Sequence, residues 1–388
     1  MRIAVCQRVC PEYIVPLFQR LSRRYEIEFV FSRFGQDQAF FFNPHRLTGI
    51  RARTLWPLPF PLLPFRSRAL NKLAFGTHAL VLGVQLAWVL WRGRHDVLVG
   101  GDFSRFECVV AWLVARCRRR PFVLWSDAWH WPVTRRDRLR LPLVSWMIRS
   151  SAALLAGGSR AKEKLLELGA GAPIFNVYHT NVTVAPDERA PAAERFVLYV
   201  GRLEERKGVE YLLHAVARVR RQHPELRLKI LGRGERLEAL RRLAADLGLA
   251  HAVDFVGWVE HAEVGDYYRS CTVFALPSIF TADGGYEPFS NVVLEAMAWG
   301  APVITTLANG AAYDVVEDGL NGRVVPDRDA DALASALIDL LADPARAEAM
   351  GRCARETIRM RFNVDRMAER FGEALDWVRA DCFKAPTR

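Results

Sequence analysis

Short apolar runs alternate regularly with helix-length segments along most of the chain. The runs are four to six residues long, which is typical of parallel strands buried on both faces of a sheet. In the first half, strands are predicted at Arg2–Cys6, Glu26–Phe31, Asp96–Gly100, Phe122–Trp125 and Ala152–Ala156, and helices at Val15–Arg24, 69–92, 105–119 and Arg160–Leu168.

The alternation stops at residues 183–194, which contain two prolines and mixed charges, and then restarts. This segment has the composition of a linker. A chain of 388 residues is about twice the usual domain size. We therefore predict an α/β protein of two doubly wound, Rossmann-like domains facing a cleft: 1–182 and 195–363, with a C-terminal helix at 364–388 packing back on the first.

The second half carries the same signals. Strands are predicted at Phe196–Val200, Arg227–Leu231, Val253–Val256, Val273–Leu276, Pro302–Thr305 and Gly322–Val325, and helices at Gly208–His223, Glu235–Leu247, Asn291–Trp299, Ala330–Leu341 and Val364–Val378. Ligands of such domains bind beyond the carboxyl ends of the strands.

Charge is distributed unevenly between the halves. Residues 1–180 hold 27 Lys and Arg against 11 Asp and Glu, whereas residues 181–388 hold 27 against 32. A basic half indicates an anionic partner, which could be a phosphorylated substrate, an acidic membrane surface or nucleic acid. Solvated arginines without a partner are the plain alternative.

Two apolar segments of the basic half stand out. The proline-spaced run at 55–65 is flanked by arginines and cannot form a regular helix, so it indicates an interfacial membrane anchor. The run at 79–91 has thirteen residues, fewer than the ~20 that span a bilayer, and is predicted to be a buried helix. The seven cysteines have no metal-ligand spacing and the N-terminus resembles no signal peptide, so a cytosolic protein with reduced thiols is expected.

A glycine-flanked basic segment follows the strand Phe196–Val200. Gly201 would let the backbone approach a ligand closely, and Arg202 and Lys207 add cations beside a helix N-terminus, which favours anions. An exposed turn with surface charges would show the same sequence pattern. The segment is no Walker motif.

A second group of polar residues surrounds a helix start at 287–298. Glu287 precedes the helix, Ser290 or Asn291 is a suitable N-cap, and Glu295 lies about one turn inside. Backbone N–H groups at the start of this helix could bind a diphosphate, and the two carboxylates could accept hydrogen bonds from sugar hydroxyls. The apolar neighbours of Glu295 argue against a freely solvated side chain.

These motifs resemble the retaining GT-B glycosyltransferases of family 4. The resemblance covers roughly residues 196–345, through YVGRLEERKGVEYLLHA, LKILGRGE, VDFVGWV, EPFSNVVLEAMAWGAPVITT and VVEDGLNGRVVP. It implies that a nucleotide-diphosphate sugar is the donor, that no metal or other cofactor is needed and that anomeric configuration is retained. The roles it implies are diphosphate binding by Arg202 and Lys207, ribose binding by Glu295, donor-sugar contact by Glu287, backbone N–H donation by Phe289, Ser290 and Asn291, and packing near the base by Trp258.

The N-terminal half departs from the family pattern. Gln7–Tyr13 replaces a glycine-rich loop, and the family's mid-domain histidine is displaced. Asp127 occupies about its position, and His130 follows three residues later. Either residue is a candidate catalytic group, although His130 could simply pack between Trp129 and Trp131.

The sequence thus predicts a cytoplasmic glycosyltransferase, peripheral on the inner membrane face, that acts on a lipid-linked or nascent glycan acceptor. Two alternatives remain open. A sugar-nucleotide epimerase would use the same fold and donor site without an acceptor. A nucleic-acid-binding protein would explain the basic half, although no helix-turn-helix, RRM or OB pattern is present, and no nucleic-acid partner is expected.

Overall fold

The structure is a computed structural model that describes residues 1–7, 14–32, 51–55, 68–180, 182–183 and 194–383, without the side chains of 68–79. The predicted linker at 183–194, the loop at 7–13 and the proline-spaced run at 55–65 lie almost wholly outside these residues. The chain divides into two compact units. The first takes in the described residues of 1–157, 161–181 and 364–388, and the second takes in 158–160 and those of 182–363.

The first unit is built on a parallel sheet of seven strands in the order β3-β2-β1-β4-β5-β6-β7. Its strands are β1 Arg2–Gln7, β2 Glu26–Ser32, β3 Arg51–Leu55, β4 Val97–Gly101, β5 Phe122–Ser126, β6 Ala153–Ala156 and β7 Ile174–Asn176. Its helices are α1 Val15–Leu21, α2 Arg68–Arg92, α3 Phe106–Cys117, α4 Arg135–Arg149 and α5 Ser159–Glu167, with a last helix at Val364–Cys382.

Both faces of this sheet are buried. Ala4 and Cys6 of β1 point into one core, which α2, α3 and α4 cover. Ile3 and Val5 point into the other, which α1 and the C-terminal helix cover. This alternation is why the strands appear in the sequence as continuous apolar runs.

The C-terminal helix is held against α1 by polar and aromatic contacts. Arg20 pairs with Asp365, and the Tyr25 hydroxyl donates to Asp376 Oδ1 over 2.8 Å. The Phe371 ring meets the rings of Phe18 and Trp125 edge-on. The end of the chain therefore completes the core of the first unit.

The second unit has a parallel sheet of six strands in the order β10-β9-β8-β11-β12-β13. These are β8 Phe196–Val200, β9 Arg227–Leu231, β10 Val253–Gly257, β11 Val273–Leu276, β12 Val303–Thr306 and β13 Arg323–Val325. The helices are α6 Val209–Val219, α7 Leu237–Asp246, α8 His261–Ser270, α9 Asn291–Ala298, α10 Ala311–Asp314, α11 Ala330–Ala342 and α12 Pro344–Arg361, so the C-terminal helix is α13. Each unit is thus a Rossmann-like α/β domain, which confirms the predicted fold class.

The prediction of a buried helix at 79–91 is confirmed for the helix and wrong for its complete burial. The run at 79–91 forms the end of α2, but the helix is not buried all round. Leu82, Leu86 and Leu90 pack in the core, whereas Val84 and Trp88 are 63% and 57% exposed. A single helix covers a sheet with one face, so apolar residues on its other face remain in contact with solvent.

Candidate functional site

The candidate site of the second unit lies where the strand order reverses. β8 has β9 on one side and β11 on the other, so the loops that follow β8 and β11 diverge at their carboxyl ends. This is the topological switch point at which doubly wound domains bind ligands. The predicted basic segment follows β8, and Glu287 lies in the segment that follows β11.

A glycine makes the first loop possible. Gly208 has a φ of 61° and links a 3-10 turn at Glu205–Lys207 to α6. A Cβ atom added at Gly208 would lie 2.1 Å from the carbonyl oxygen of Pro277. A residue other than glycine would therefore be strained and would also clash with the segment after β11. The two loops are in contact through their backbones at this position.

Ion pairs join the same two loops. Lys207 Nζ contacts Glu287 Oε2, and Arg206 Nη1 donates to the same oxygen over 2.6 Å. Burial by itself would raise the pKa of Glu287, but the charges of Lys207 and Arg206 outweigh it and hold that pKa below its usual value. The carboxylate is therefore ionised and fixed between two cations.

The backbone of Glu287 is also held in place. Its N–H donates to the carbonyl of Ala308 over 3.0 Å, and its own carbonyl accepts from the Gly310 N–H over 2.9 Å. The residue thus bridges the segment after β11 and the loop after β12. Side chain and main chain together give Glu287 one defined position.

Arg202 occupies a different environment. Its side chain is 58% exposed and pairs with Glu204 Oε1 over 2.6 Å, while Glu204 also contacts Arg206. Exposed ion pairs contribute little free energy, so Arg202 can exchange Glu204 for an incoming anion at small cost. With Lys207 and Glu287 the network holds three cations and two carboxylates, a net positive charge.

Helix α9 supplies the second half of the site. Ser290 is its N-cap, without a hydrogen bond from its side chain to the helix, and Phe289 and Ser290 are buried. The first N–H groups of an α-helix have no partner within the helix and carry the positive end of its dipole. The predicted donors Phe289, Ser290 and Asn291 therefore surround this helix start.

Glu295 is partly buried in the second turn of α9. The hydroxyl of Tyr268, on α8, donates to Glu295 Oε2 over 3.0 Å. Tyr268 is 2% exposed, so the Glu295 carboxylate is held in place by a buried side chain. This agrees with the expectation that Glu295 is not a freely solvated helix residue.

Trp258 follows β10, at the same edge of the sheet as the other residues. It is 44% exposed, and the guanidinium of Arg233, which follows β9, lies 5.8 Å from its ring centroid. Because the ring is exposed at a strand end, it could stack on a planar ligand. A ring packed in a core could not.

In the first unit, Asp127 follows β5 and contacts a histidine that sequence reasoning missed. His179 Nδ1 lies 2.8 Å from Asp127 Oδ2, and the His179 ring packs against the ring of Trp125. His130 is exposed, with its ring against Trp129. His179 was missed because its partner Asp127 lies 52 positions away in the chain.

Sequence comparison finds similarity to known proteins in the second half of the chain. Residues 184–357 match the family model described as glycosyl transferases group 1. A GDP-mannose-dependent alpha-(1-6)-phosphatidylinositol monomannoside mannosyltransferase of Mycolicibacterium smegmatis is 40% identical over 174 residues, 43% of this chain and 45% of that protein. A glycogen synthase of Mycobacterium tuberculosis is 33% identical over 232 residues, 58% and 54% of the two chains. The matches span about half the length of these relatives.

Comparison of structures covers nearly the whole chain. The crystal structure of Anabaena Alr3699/HepE with UDP and glucose superposes with a TM-score of 0.73 at 18% identity, over 97% of this chain and 99% of that one. The lipopolysaccharide outer core galactosyltransferase WaaB superposes with a TM-score of 0.71 at 21% identity, over 97% and 99%. The protein therefore has a GT-B fold, and residues 184–357 of its second half are similar to glycosyl transferases group 1.

Proposed function

We propose that this protein is a retaining glycosyltransferase that moves a sugar from a nucleotide-diphosphate donor to a lipid-linked or nascent glycan acceptor. The observation that carries the proposal is the pair of ion pairs that Glu287 makes with Arg206 and Lys207 at the switch point. Glu287 also lies four residues before the start of α9 at Asn291. A cationic site of this kind suits a diphosphate. The names of the relatives supply the reaction class: two of them are a mannosyltransferase and a galactosyltransferase.

The chemistry follows from these groups. When a sugar leaves a nucleotide diphosphate, negative charge grows on the departing phosphate and positive charge on the sugar ring. The ammonium of Lys207 has three donors; one is directed at Glu287, and others can stabilise the phosphate. Arg202 adds a second cation. The positive end of the α9 dipole also stabilises the negative charge on the phosphate. Glu287, kept ionised, accepts from donor-sugar hydroxyls, and Glu295 from the ribose.

Metal independence is part of the proposal. Within the described residues, no three His, Cys, Asp or Glu side chains are grouped so that they could hold a metal ion. Fixed cations would do the work of a metal at the leaving phosphate. Unchanged transfer in excess EDTA is expected, and loss of transfer that Mg²⁺ or Mn²⁺ restores would contradict this part.

The proposal for the first unit is acceptor binding, with Asp127 and His130 as the candidate groups for proton transfer. His179 contacts Asp127 and so can orient it. A cytoplasmic, peripheral membrane location is proposed with it, since a lipid-linked acceptor lies at a membrane surface. None of the described helices is long and apolar enough to cross a bilayer.

Replacing Glu295 and Lys207 tests the proposal. Glu295→Gln and Lys207→Met remove the charges and keep the side-chain size. Lys207→Met is expected to reduce transfer at least about a hundredfold, the usual cost of losing one preorganised group that stabilises transition-state charge. Glu295→Gln is expected to weaken donor binding and so to reduce transfer at low donor concentration. The matched control Glu238→Gln lies on α7, where the side chain is 70% exposed, and should keep full activity. Normal transfer in both site variants would refute the assignment.

The epimerase alternative gives a different product. An epimerase would convert the donor to an isomeric sugar nucleotide with no acceptor present, whereas a transferase releases the nucleoside diphosphate as the acceptor gains a sugar. Chromatography of the nucleotide pool distinguishes the two outcomes.

A further inference from the structure

The first unit has an unusually apolar outer surface on helices α2, α3 and α4. In the described part of the chain, half of the exposed large apolar side chains lie on these three helices. We call this surface the α2–α4 face, and it consists of Leu80, Val84, Trp88, Trp91, Leu113, Leu139, Leu143 and Trp146.

The exposed residues form stripes along the helices. On α2, Leu80, Val84 and Trp88 follow each other at four-residue intervals, which places them on one side of the helix. They are 57–69% exposed. On α4, Leu139 is 77% exposed, and Leu143 and Trp146 follow at intervals of four and three. These stripes lie opposite the residues that pack in the core.

The three helices form a single layer. Their buried residues share one core cluster over the same side of the sheet, so their outer sides point away from the sheet together. α3 is tied to α4 by the Trp112 Nε1 hydrogen bond to Ser150 Oγ, 2.9 Å long, and by the Trp112 and Trp146 rings, 4.6 Å apart. The stripes therefore belong to one continuous surface.

The polar residues of this layer are almost all cationic. Arg92 lies over the Trp88 ring at 5.2 Å and Arg116 over the Trp146 ring at 5.1 Å. Further exposed arginines on α4 are Arg135, Arg136, Arg138 and Arg149. From residue 80 to the end of α4, the carboxylates on these helices are Glu107, which is buried, and Asp137, which accepts from backbone N–H groups in the α4 capping box.

The combination fits one kind of partner. A second copy of the chain would bring arginine against arginine, and nucleic acid offers nothing to bury Leu80, Val84 and Leu139. A bilayer with anionic lipids satisfies both features, because aliphatic side chains enter the acyl boundary, tryptophans remain at headgroup depth and arginines meet the phosphates.

We propose that the α2–α4 face docks the protein on an anionic membrane surface. This face lies on different residues from the proline-spaced run at 55–65, and its contact with lipid does not depend on sugar transfer. It would hold the first unit at the surface where a lipid-linked acceptor is embedded.

The test uses the full chain and flotation with vesicles of phosphatidylcholine alone or with about 30 mol% phosphatidylglycerol. The apolar variant Leu80→Ser/Val84→Ser/Leu139→Ser changes side chains that are more than 60% exposed, so the fold should be retained. The control Val256→Ser/Leu320→Ser changes exposed apolar residues of the second unit. A charge variant, Arg135→Gln/Arg136→Gln/Arg138→Gln, and the loop variant Trp56→Ser/Phe60→Ser/Phe65→Ser complete the set.

The wild type and the control should float with the anionic vesicles, and the apolar variant should bind about tenfold or more weakly, because affinity follows the apolar area inserted. The charge variant should lose the preference for phosphatidylglycerol, and wild-type binding should fall between about 0.05 and 0.5 M NaCl. Unaltered binding of the apolar variant, absence of binding by the wild type, or loss in the loop variant alone would overturn the proposal. So would tighter binding to duplex DNA, reduced by the same substitutions.

Two further readouts keep the result interpretable. If the apolar variant unfolds at a lower temperature, quenching of wild-type tryptophan emission by brominated lipid gives a second measure. That quenching should weaken in Trp88→Phe, and equal quenching would count against the α2–α4 face. A thermal shift caused by the donor should persist in every variant, since the substitutions lie outside the donor site; its absence from the wild type would instead count against the proposed function.

Discussion

At the scale of single residues, the hydrogen bond between Tyr268 and Glu295 predicts a positioning role for a buried tyrosine. Tyr268→Phe removes the hydroxyl and leaves Glu295 in place. We expect the donor KM to rise about tenfold or more with kcat little changed, since one hydrogen bond to a charged group contributes roughly 1.5–3 kcal/mol. Steady-state kinetics measure this, with Tyr211→Phe on α6 as the control. An unchanged KM would show that Tyr268 has only a packing role.

A second residue-scale prediction concerns pH. In the first unit, Glu28 accepts from His95 and Arg53, and these contacts, the His95 hydrogen bond first, lower the pKa of Glu28 to about 2. A folded-state pKa below the unfolded value gives stability that is present above the unfolded pKa and lost as pH falls toward 2. Glu28→Gln should therefore cost about 1 kcal/mol at neutral pH, after discounting for solvent screening, and progressively less below about pH 4.

Urea unfolding at several pH values measures that difference. Glu373→Gln, at an exposed position of α13, is the matched control and should follow the wild type throughout. A Glu28→Gln penalty that stays constant from pH 7 to pH 3 would contradict the assignment of the stabilisation to the ionised carboxylate.

Sequence reasoning reached some of these residues and missed others for a physical reason. Glu287 and Glu295 stand out because carboxylates in apolar surroundings need partners. The partners themselves, Arg206 and Tyr268, look like any surface arginine and core tyrosine, because the contacts that distinguish them join loops and helices far apart in the chain. His179 and Asp127 are separated by 52 positions for the same reason.

At the scale of elements, α13 is the clearest case of an element whose role depends on packing. Phe371→Ala would leave a cavity beside Phe18 and Trp125 and should lower the free energy of unfolding by about 3–5 kcal/mol. Met360→Ala, at a position 49% exposed on α12, is the control and should cost little. Denaturant unfolding measures both. A small effect at Phe371 would mean that α13 is not part of the first unit's core.

The strands were predictable because burial on both faces leaves an unambiguous apolar run. Arg227–Leu231 and Val273–Leu276 agree with the prediction at both ends. The edge strand β3, Arg51–Leu55, was missed because three of its five residues are exposed and polar side chains hide the pattern. Helix α4 was missed because arginines and Pro142 interrupt its apolar period. Its start nevertheless carries a sequence signal, the capping box formed by Thr134 and Asp137.

At the scale of the whole molecule, the two units divide the charge. The basic first unit carries the α2–α4 face, and the second carries the cation-rich loop and the start of α9 within a mildly acidic half. The proposed diphosphate site lies in an acidic half of the chain, and its cations are collected locally in Arg202, Arg206 and Lys207. The charge difference between the halves was visible in the sequence. Which side chains form each surface depends on the fold.

Binding of a nucleotide-diphosphate sugar by the second unit can be measured by thermal unfolding with a panel of UDP-, GDP- and dTDP-sugars. GDP-mannose and UDP-glucose are the first to try, because the names of similar proteins include these donors. One donor should raise the unfolding midpoint of the wild type, since a ligand bound to the folded state stabilises it. The shift should vanish in Lys207→Met and persist in Glu238→Gln. If no sugar nucleotide moves the midpoint, or if Lys207→Met responds like the wild type, the proposed donor site is contradicted.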